Sequence, residues 1–215
     1  MQQICPSAEL VTGLSCELLA SNTGWTWTLT TRLGELLAEA ENRYGPRDRN
    51  WTPIGIEFGG DGPGIWYPGD RRHVSIRLSA AARQDLSQAI FQLSHEVIHL
   101  LGPSGGKSAP AIEEGLATLF SEEVSKRFNV NLIYNDPAYL HCRNVALEFL
   151  GRYPEGVKQV RQIEKSFHLF DPPLLRRVFA DIPDKLAADV CEPFDEIKAR
   201  LNATAPHPDA PTCKA

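Results

Sequence analysis

The 215-residue chain lacks any paired-cysteine pattern. Its five cysteines, Cys5, Cys16, Cys142, Cys191 and Cys213, are odd in number, widely scattered and never spaced as CxxC. That excludes a disulfide framework and a thiolate metal site, and it points to a reducing compartment. Positive charge is not in excess either: 22 Lys and Arg stand against 27 Asp and Glu, a formal charge of −5, with no basic tract. Neither nucleic acid nor an anionic lipid surface is therefore the expected partner. Met1 to Leu19 carries Glu9 and Glu17 but no Lys or Arg, which is not the charged start of a secretory signal. Gly13-Leu14-Ser15-Cys16 has the form of a lipoprotein cleavage site, but no basic start or long apolar run precedes it. No apolar run elsewhere is long enough to cross a bilayer, and no internal repeat is visible. The expectation is a cytoplasmic protein with no membrane association.

What is present is the composition of an ordinary globular chain, 42% hydrophobic and 23% charged, long enough to bury a core without cross-links. Leu29, Leu33, Leu36, Leu37 and Ala40 recur at helical spacing, and Gly45-Pro46 ends the pattern. Pro53 to Phe58 and His73 to Leu78 alternate like strands, which predicts a small, mostly antiparallel sheet. Leu86, Ile90, Leu93, Val97 and Leu101 then predict one long helix over Ala81 to Leu101, closed by Gly102-Pro103. A Gly/Ser linker leads to a second helix over about 109–128. Beyond Asp136 the pattern is helical, with breaks at Tyr153-Pro154, Asp171-Pro172-Pro173, Ile182-Pro183 and Glu192-Pro193, so four or five short helices are expected. The organisation read from this is an N-terminal segment (1–24), an α+β core (25–130), a helical subdomain (131–204) and a tail (205–215).

Chemistry enters with His95-Glu96-Val97-Ile98-His99. On a helix this spacing sets two imidazoles one turn apart on one face, with a carboxylate beside them, which is half of a tetrahedral zinc site. Catalytic zinc needs a third protein ligand and an open position for water. The following helix offers Glu113 and Glu114, and the glycines from Gly102 to Gly106 let the chain turn back and lay it alongside. The apolar stripe Ile112, Leu116, Leu119, Phe120 is centred nearer Glu113, so residue patterning leaves both glutamates open. The motif alone arises by chance about once per hundred chains of this composition, and its setting in a helix after a strand is what gives it weight.

In these residues the chain resembles the gluzincins, the zinc peptidases that include thermolysin and the zinc aminopeptidases. Many of them carry a glutamate ligand on the next helix, followed by Gly-x-Ala, which matches Glu114-Gly115-Leu116-Ala117. The likeness covers roughly residues 73–123, about a quarter of the chain. It implies a zincin-like core, one zinc ion per chain held by His95, His99 and Glu114, and Glu96 as general base acting on a peptide or protein substrate. It also implies that the strand His73 to Leu78 lines the cleft and pairs with an extended substrate. Ser121 stands where aminopeptidases carry an acidic residue, and no motif for anchoring a substrate amine is evident, so aminopeptidase activity is not implied.

The rival expectations are a zincin-like domain that holds metal or a partner without turnover, and a protease aimed at a single regulatory target. His73, Tyr134, Tyr139 and His141 are each able to supply a proton or hydrogen bond to a transition state, and no spacing chooses among them.

Overall fold

A computed structural model describes residues 18–19, 27–60, 62–130 and 132–204. Cys5, Cys16, Cys213, the tail from 205 and nearly all of the N-terminal segment lie outside the described residues. Two short strands, β1 (Leu18–Leu19) and β2 (Trp27–Thr28), form an antiparallel ribbon. Thr28 then caps α1 (Leu29–Tyr44): its hydroxyl oxygen accepts from the Thr31 amide, and Thr31 Oγ1 accepts from the Thr28 amide. Leu29, Leu33, Leu36, Ala40 and Tyr44 form the buried face, and Gly45, at φ 94°, ends the helix in a conformation that disfavours a side chain.

The sheet holds β3 (Thr52–Phe58), β4 (Gly64–Trp66) and β5 (His73–Leu78) in the order β3-β5-β4. It is mixed, which corrects the expectation of a mostly antiparallel sheet. The chain reverses between β3 and β4 and again between β4 and β5, and two reversals restore the direction. β5 is consequently parallel to β3 and antiparallel to β4. The same order makes β5 the central strand, hydrogen-bonded on both sides, and leaves β4 as an edge. Val74, Ile76 and Leu78 of β5 are fully buried.

The single helix expected over Ala81 to Leu101 is two pieces. A 3-10 turn (Ala80–Arg83) precedes α2 (Leu86–His99), and Asp85 separates them with extended backbone while its carboxylate accepts from the Gln88 amide. A residue whose side chain caps a helix start competes with continuing the previous turn. α3 (Ala111–Arg127) returns alongside α2.

Five further helices follow: α4 (Pro137–Arg152), α5 (Gly156–Arg161), α6 (Pro172–Val178), α7 (Asp184–Cys191) and α8 (Phe194–Thr204). The breaks between them fall where the prolines predict. Their apolar faces join the same core as α1 to α3, one cluster running from Leu29 to Ile197. The described architecture is mixed α+β, and none of these helices is long and apolar enough to cross a membrane.

Two close approaches set the geometry around α2 and α3. A Cβ on Gly115 would lie 2.2 Å from the Cys142 carbonyl oxygen, so only hydrogen at that position lets α4 pack this tightly on α3. At the far end of α2, the buried Arg161 guanidinium donates to the carbonyls of Tyr44, Gly45, Pro46, Leu101 and Lys165. Those carbonyls include orphaned acceptors at the ends of α1 and α2, which would otherwise be buried without donors.

Candidate metal centre

α2 and α3 pack side by side and turn His95, His99 and Glu114 toward a common point. All three are buried, and one donor atom from each lies within 4.8 Å of the others. His95 Nε2 is 3.3 Å from Glu114 Oε2, and His99 Nε2 is 3.7 Å from Glu114 Oε1. Donors around tetrahedral zinc, at bond lengths near 2.1 Å, stand about 3.4 Å apart. The spacing therefore suits such an ion.

The remaining nitrogens of both rings are occupied. His99 Nδ1 donates to Glu113 Oε1 at 2.8 Å, and His95 Nδ1 lies 2.8 Å from the Tyr134 hydroxyl oxygen. These contacts fix ring orientation and turn each Nε2, the nitrogen a metal would take, toward Glu114. Glu113 and Glu114 thus take different parts: Glu114 faces both imidazoles through Nε2, while Glu113 holds His99 from behind. The apolar stripe favoured Glu113 as the group facing the histidines; α3 is buried on nearly every side, so no stripe marks one face of it.

The electrostatics call for a cation. Glu96, Glu113 and Glu114 are all buried beside two imidazoles. Glu113 Oε2 and Glu114 Oε2 are buried with no hydrogen-bond donor, a costly state for carboxylate oxygen unless positive charge reaches it. Burial pushes the Glu96 carboxyl upward, with His95 and His99 pulling it back only in part. Burial also opposes charge on His99, but Glu114 and Glu113 outweigh it and push that imidazole up to about 10. Glu114 goes the other way: burial raises it, and the two imidazoles overcome this and hold it below the usual carboxylate range. In the metal-free site a proton on His99 serves as the counter-charge that a divalent ion would supply.

The cleft above these groups has a volume of about 210 Å³. Glu96 opens onto it, with Gly64 and Ile65 of the β4 edge on one wall, Lys107 of the α2–α3 loop on another and Tyr139 of α4 facing them. Tyr139 stacks on Tyr134 (ring centroids 4.6 Å) and meets His95 edge-on (5.7 Å). Its hydroxyl has no hydrogen-bond partner among the described residues. Burial, with Glu114 and Glu96 adding to it, keeps that hydroxyl protonated well above neutrality.

No protein-family model, curated protein or solved structure matches this chain.

The structure brings together every residue that the sequence singled out for the site: His95, Glu96, His99 and Glu114. It separates the four candidate donors. Tyr139 lines the cleft and Tyr134 supports His95, whereas His141 faces Glu192 at 3.9 Å and His73 opens β5; neither of these histidines lines the cleft. It also corrects the strand expected to meet substrate. β5 is enclosed by β3 and β4, and the strand edge at the cleft belongs to β4.

Proposed function

We propose that the chain is a zinc-dependent hydrolase of peptide bonds, with a zincin-like arrangement of β4, α2 and α3 around the metal. One observation carries this reading: both imidazoles spend Nδ1 on a neighbour, and both turn Nε2 toward a buried carboxylate whose Oε2 has no donor. A structural histidine pair would more simply satisfy Nε2 with protein donors and acceptors, as buried polar groups ordinarily are satisfied.

His95, His99 and Glu114 hold the ion. Zinc there would supply Lewis acidity and lower the pKa of a water to about 7. Glu96, next to His95 and open to the cleft, takes the proton of the attacking water and returns it to the leaving amine, so its roles as base and acid alternate. Its position in the cleft beside both histidines suits a proton carrier better than a ligand. The Tyr139 hydroxyl, protonated and unengaged, donates to the substrate carbonyl oxygen as negative charge builds on it. The β4 edge at Gly64 and Ile65 offers backbone groups to an extended peptide lying across the cleft.

The test compares wild type with Glu96→Gln and His99→Ala. Bound metal is measured by plasma mass spectrometry, and cleavage of a mixed peptide library is followed at neutral pH. The expected result is about one zinc per chain in wild type and Glu96→Gln, loss of zinc in His99→Ala, and cleavage by wild type alone. Absence of zinc from pure wild type would overturn the reading. Zinc without cleavage would reduce it to a metal-stabilised binding domain.

A further inference from the structure

Two amino groups stand in or beside the cleft, Lys107 in its lining and Lys198 next to cleft-lining Tyr139, and the chemistry above uses neither. Lys107 lines the cleft from the loop joining α2 to α3, where the Ser104 hydroxyl donates to the Lys107 carbonyl at 2.7 Å and holds the loop closed. Lys198 comes from α8. That helix is tied to the start of α3 by a short antiparallel bridge, with the Ala111 amide donating to Glu192 and the Phe194 amide to Ala109, each at 2.8 Å. The bridge sets Lys198 Nζ 5.7 Å from the ring centroid of cleft-lining Tyr139 and 5.0 Å from that of Phe194. Lys198 is among the charges that reach Glu114.

Neither lysine has a carboxylate partner among the described residues. Other cations of the same protein do: Arg43 with Glu123, Arg143 with Glu122, and Arg200 with Glu192. With zinc bound, the floor would leave little negative charge for the lysines to neutralise. A divalent ion held by His95, His99 and Glu114 would offset two of the three carboxylates Glu96, Glu113 and Glu114, and the buried Arg161, whose guanidinium feels Glu113 first among the carboxylates around it, offsets the third. In a chain of net charge −5, these two ammonium groups beside the cleft are therefore open to a ligand carboxylate.

We propose that the cleft selects peptides bearing a carboxylate beside the bond to be cleaved, with Lys107 and Lys198 as the groups that receive it. This rests on the peptidase reading. The carboxylate is either an acidic side chain or a free C-terminus. Lys107 is exposed and reaches the ligand through water; Lys198 is half-buried, with its stem on aromatic rings and its ammonium toward Tyr139.

The experiment uses the zinc-loaded Glu96→Gln protein, which holds peptide without consuming it, in isothermal titration calorimetry. Four otherwise identical peptides carry Glu or Gln beside the central bond and a free or amidated C-terminus. The expected result is about tenfold tighter binding of a carboxylate-bearing peptide than of the doubly neutral one at low salt. The advantage shrinks as salt rises. Adding Lys107→Gln and Lys198→Gln brings it within about twofold. An advantage kept by the amidated Glu peptide assigns the site to acidic side chains, and one kept only by free C-termini assigns it to the chain end; both support the proposal. Equal affinity for all four peptides, or a preference untouched in the double lysine variant, overturns it and leaves the peptidase reading intact. Failure of every peptide to bind a zinc-loaded protein overturns both.

Discussion

The floor of the cleft and its walls are built on different terms. On the floor, His95, Glu96, His99, Glu113 and Glu114 are buried on two packed helices, and both imidazoles are held from behind by a second residue. On the walls, a three-residue edge strand, a glycine-rich loop and the aromatic face of α4 present groups that are half exposed and partly unengaged. Residues fixed by packing and by hydrogen bonds are suited to hold an ion in one geometry. Free edges, hydroxyls and amino groups are suited to meet a ligand that arrives and leaves. The floor therefore sets what chemistry is available, and the walls set what it acts on.

That division is open to direct attack. Among the wall and supporting residues, the largest effect is expected from the one proposed to reach the reacting atoms. Tyr139→Phe should lower kcat by about 10²–10³-fold while zinc content stays unchanged, read by steady-state kinetics beside metal analysis. Loss of zinc in that variant would show that Tyr139 belongs to the floor. The converse change is Glu113→Gln, which keeps an acceptor oxygen behind His99 but removes its negative charge. It should weaken zinc affinity by about 10–100-fold in a competition titration with a chelator, with no comparable loss of kcat once zinc is saturating.

A third variant moves one wall against the floor without touching a polar group. Gly115→Ala sets a methyl against the Cys142 carbonyl and forces α4, with Tyr139, away from α3. A loss of about 1–3 kcal/mol in urea unfolding is expected. Activity should fall more than zinc affinity, because Tyr139 moves while His95, His99 and Glu114 keep their helices.

The mildest test concerns protons. His99 has a folded-state value raised to about 10 from an ordinary 6.5. Its contribution to the stability of the metal-free protein is fully present below the unfolded value, and it is lost as pH rises from about 6.5 through about 10. Glu96 and Glu113, also raised, work in the same direction from lower pH. The urea midpoint of chelator-treated protein should accordingly fall across that range, and His99→Ala should flatten the slope. Zinc loading should flatten it too, since a metal ligand carries no proton to lose.

Legibility followed how local each signal was. The helix carrying His95 and His99 reads directly, because a spacing of four residues fixes two side chains on one face whatever surrounds them. The starts of the later helices read almost as well, since a proline stands at or just before each. The pairing of β3 with β5 did not read: alternation reports which residues face the core but carries no strand direction, and that direction depends on the short β4 between them. The break at Asp85 was hidden inside a continuous apolar period. The parts taken by Glu113 and Glu114 escaped residue patterning because the first turns of α3, Ala111 to Thr118, are buried on every side and carry no solvent face to orient them. Tyr134 lies on a connecting stretch with no period at all, and only the folded chain brings it to His95, 39 residues away.

The clamp formed by Arg161 bears on how far the protein can be cut down. A fragment ending at residue 130 would keep His95, Glu96, His99 and Glu114, and by that measure would hold the metal ligands and the proposed base, though not Tyr134 or Tyr139. It would also strip five carbonyls at the ends of α1, α2 and α5 of the guanidinium that satisfies them, or remove them outright. The floor would then end in bare acceptors facing an apolar interior. The smallest unit of this protein that keeps the floor intact accordingly extends at least to Arg161, and attempts to miniaturise it should begin from the C-terminal side of that residue.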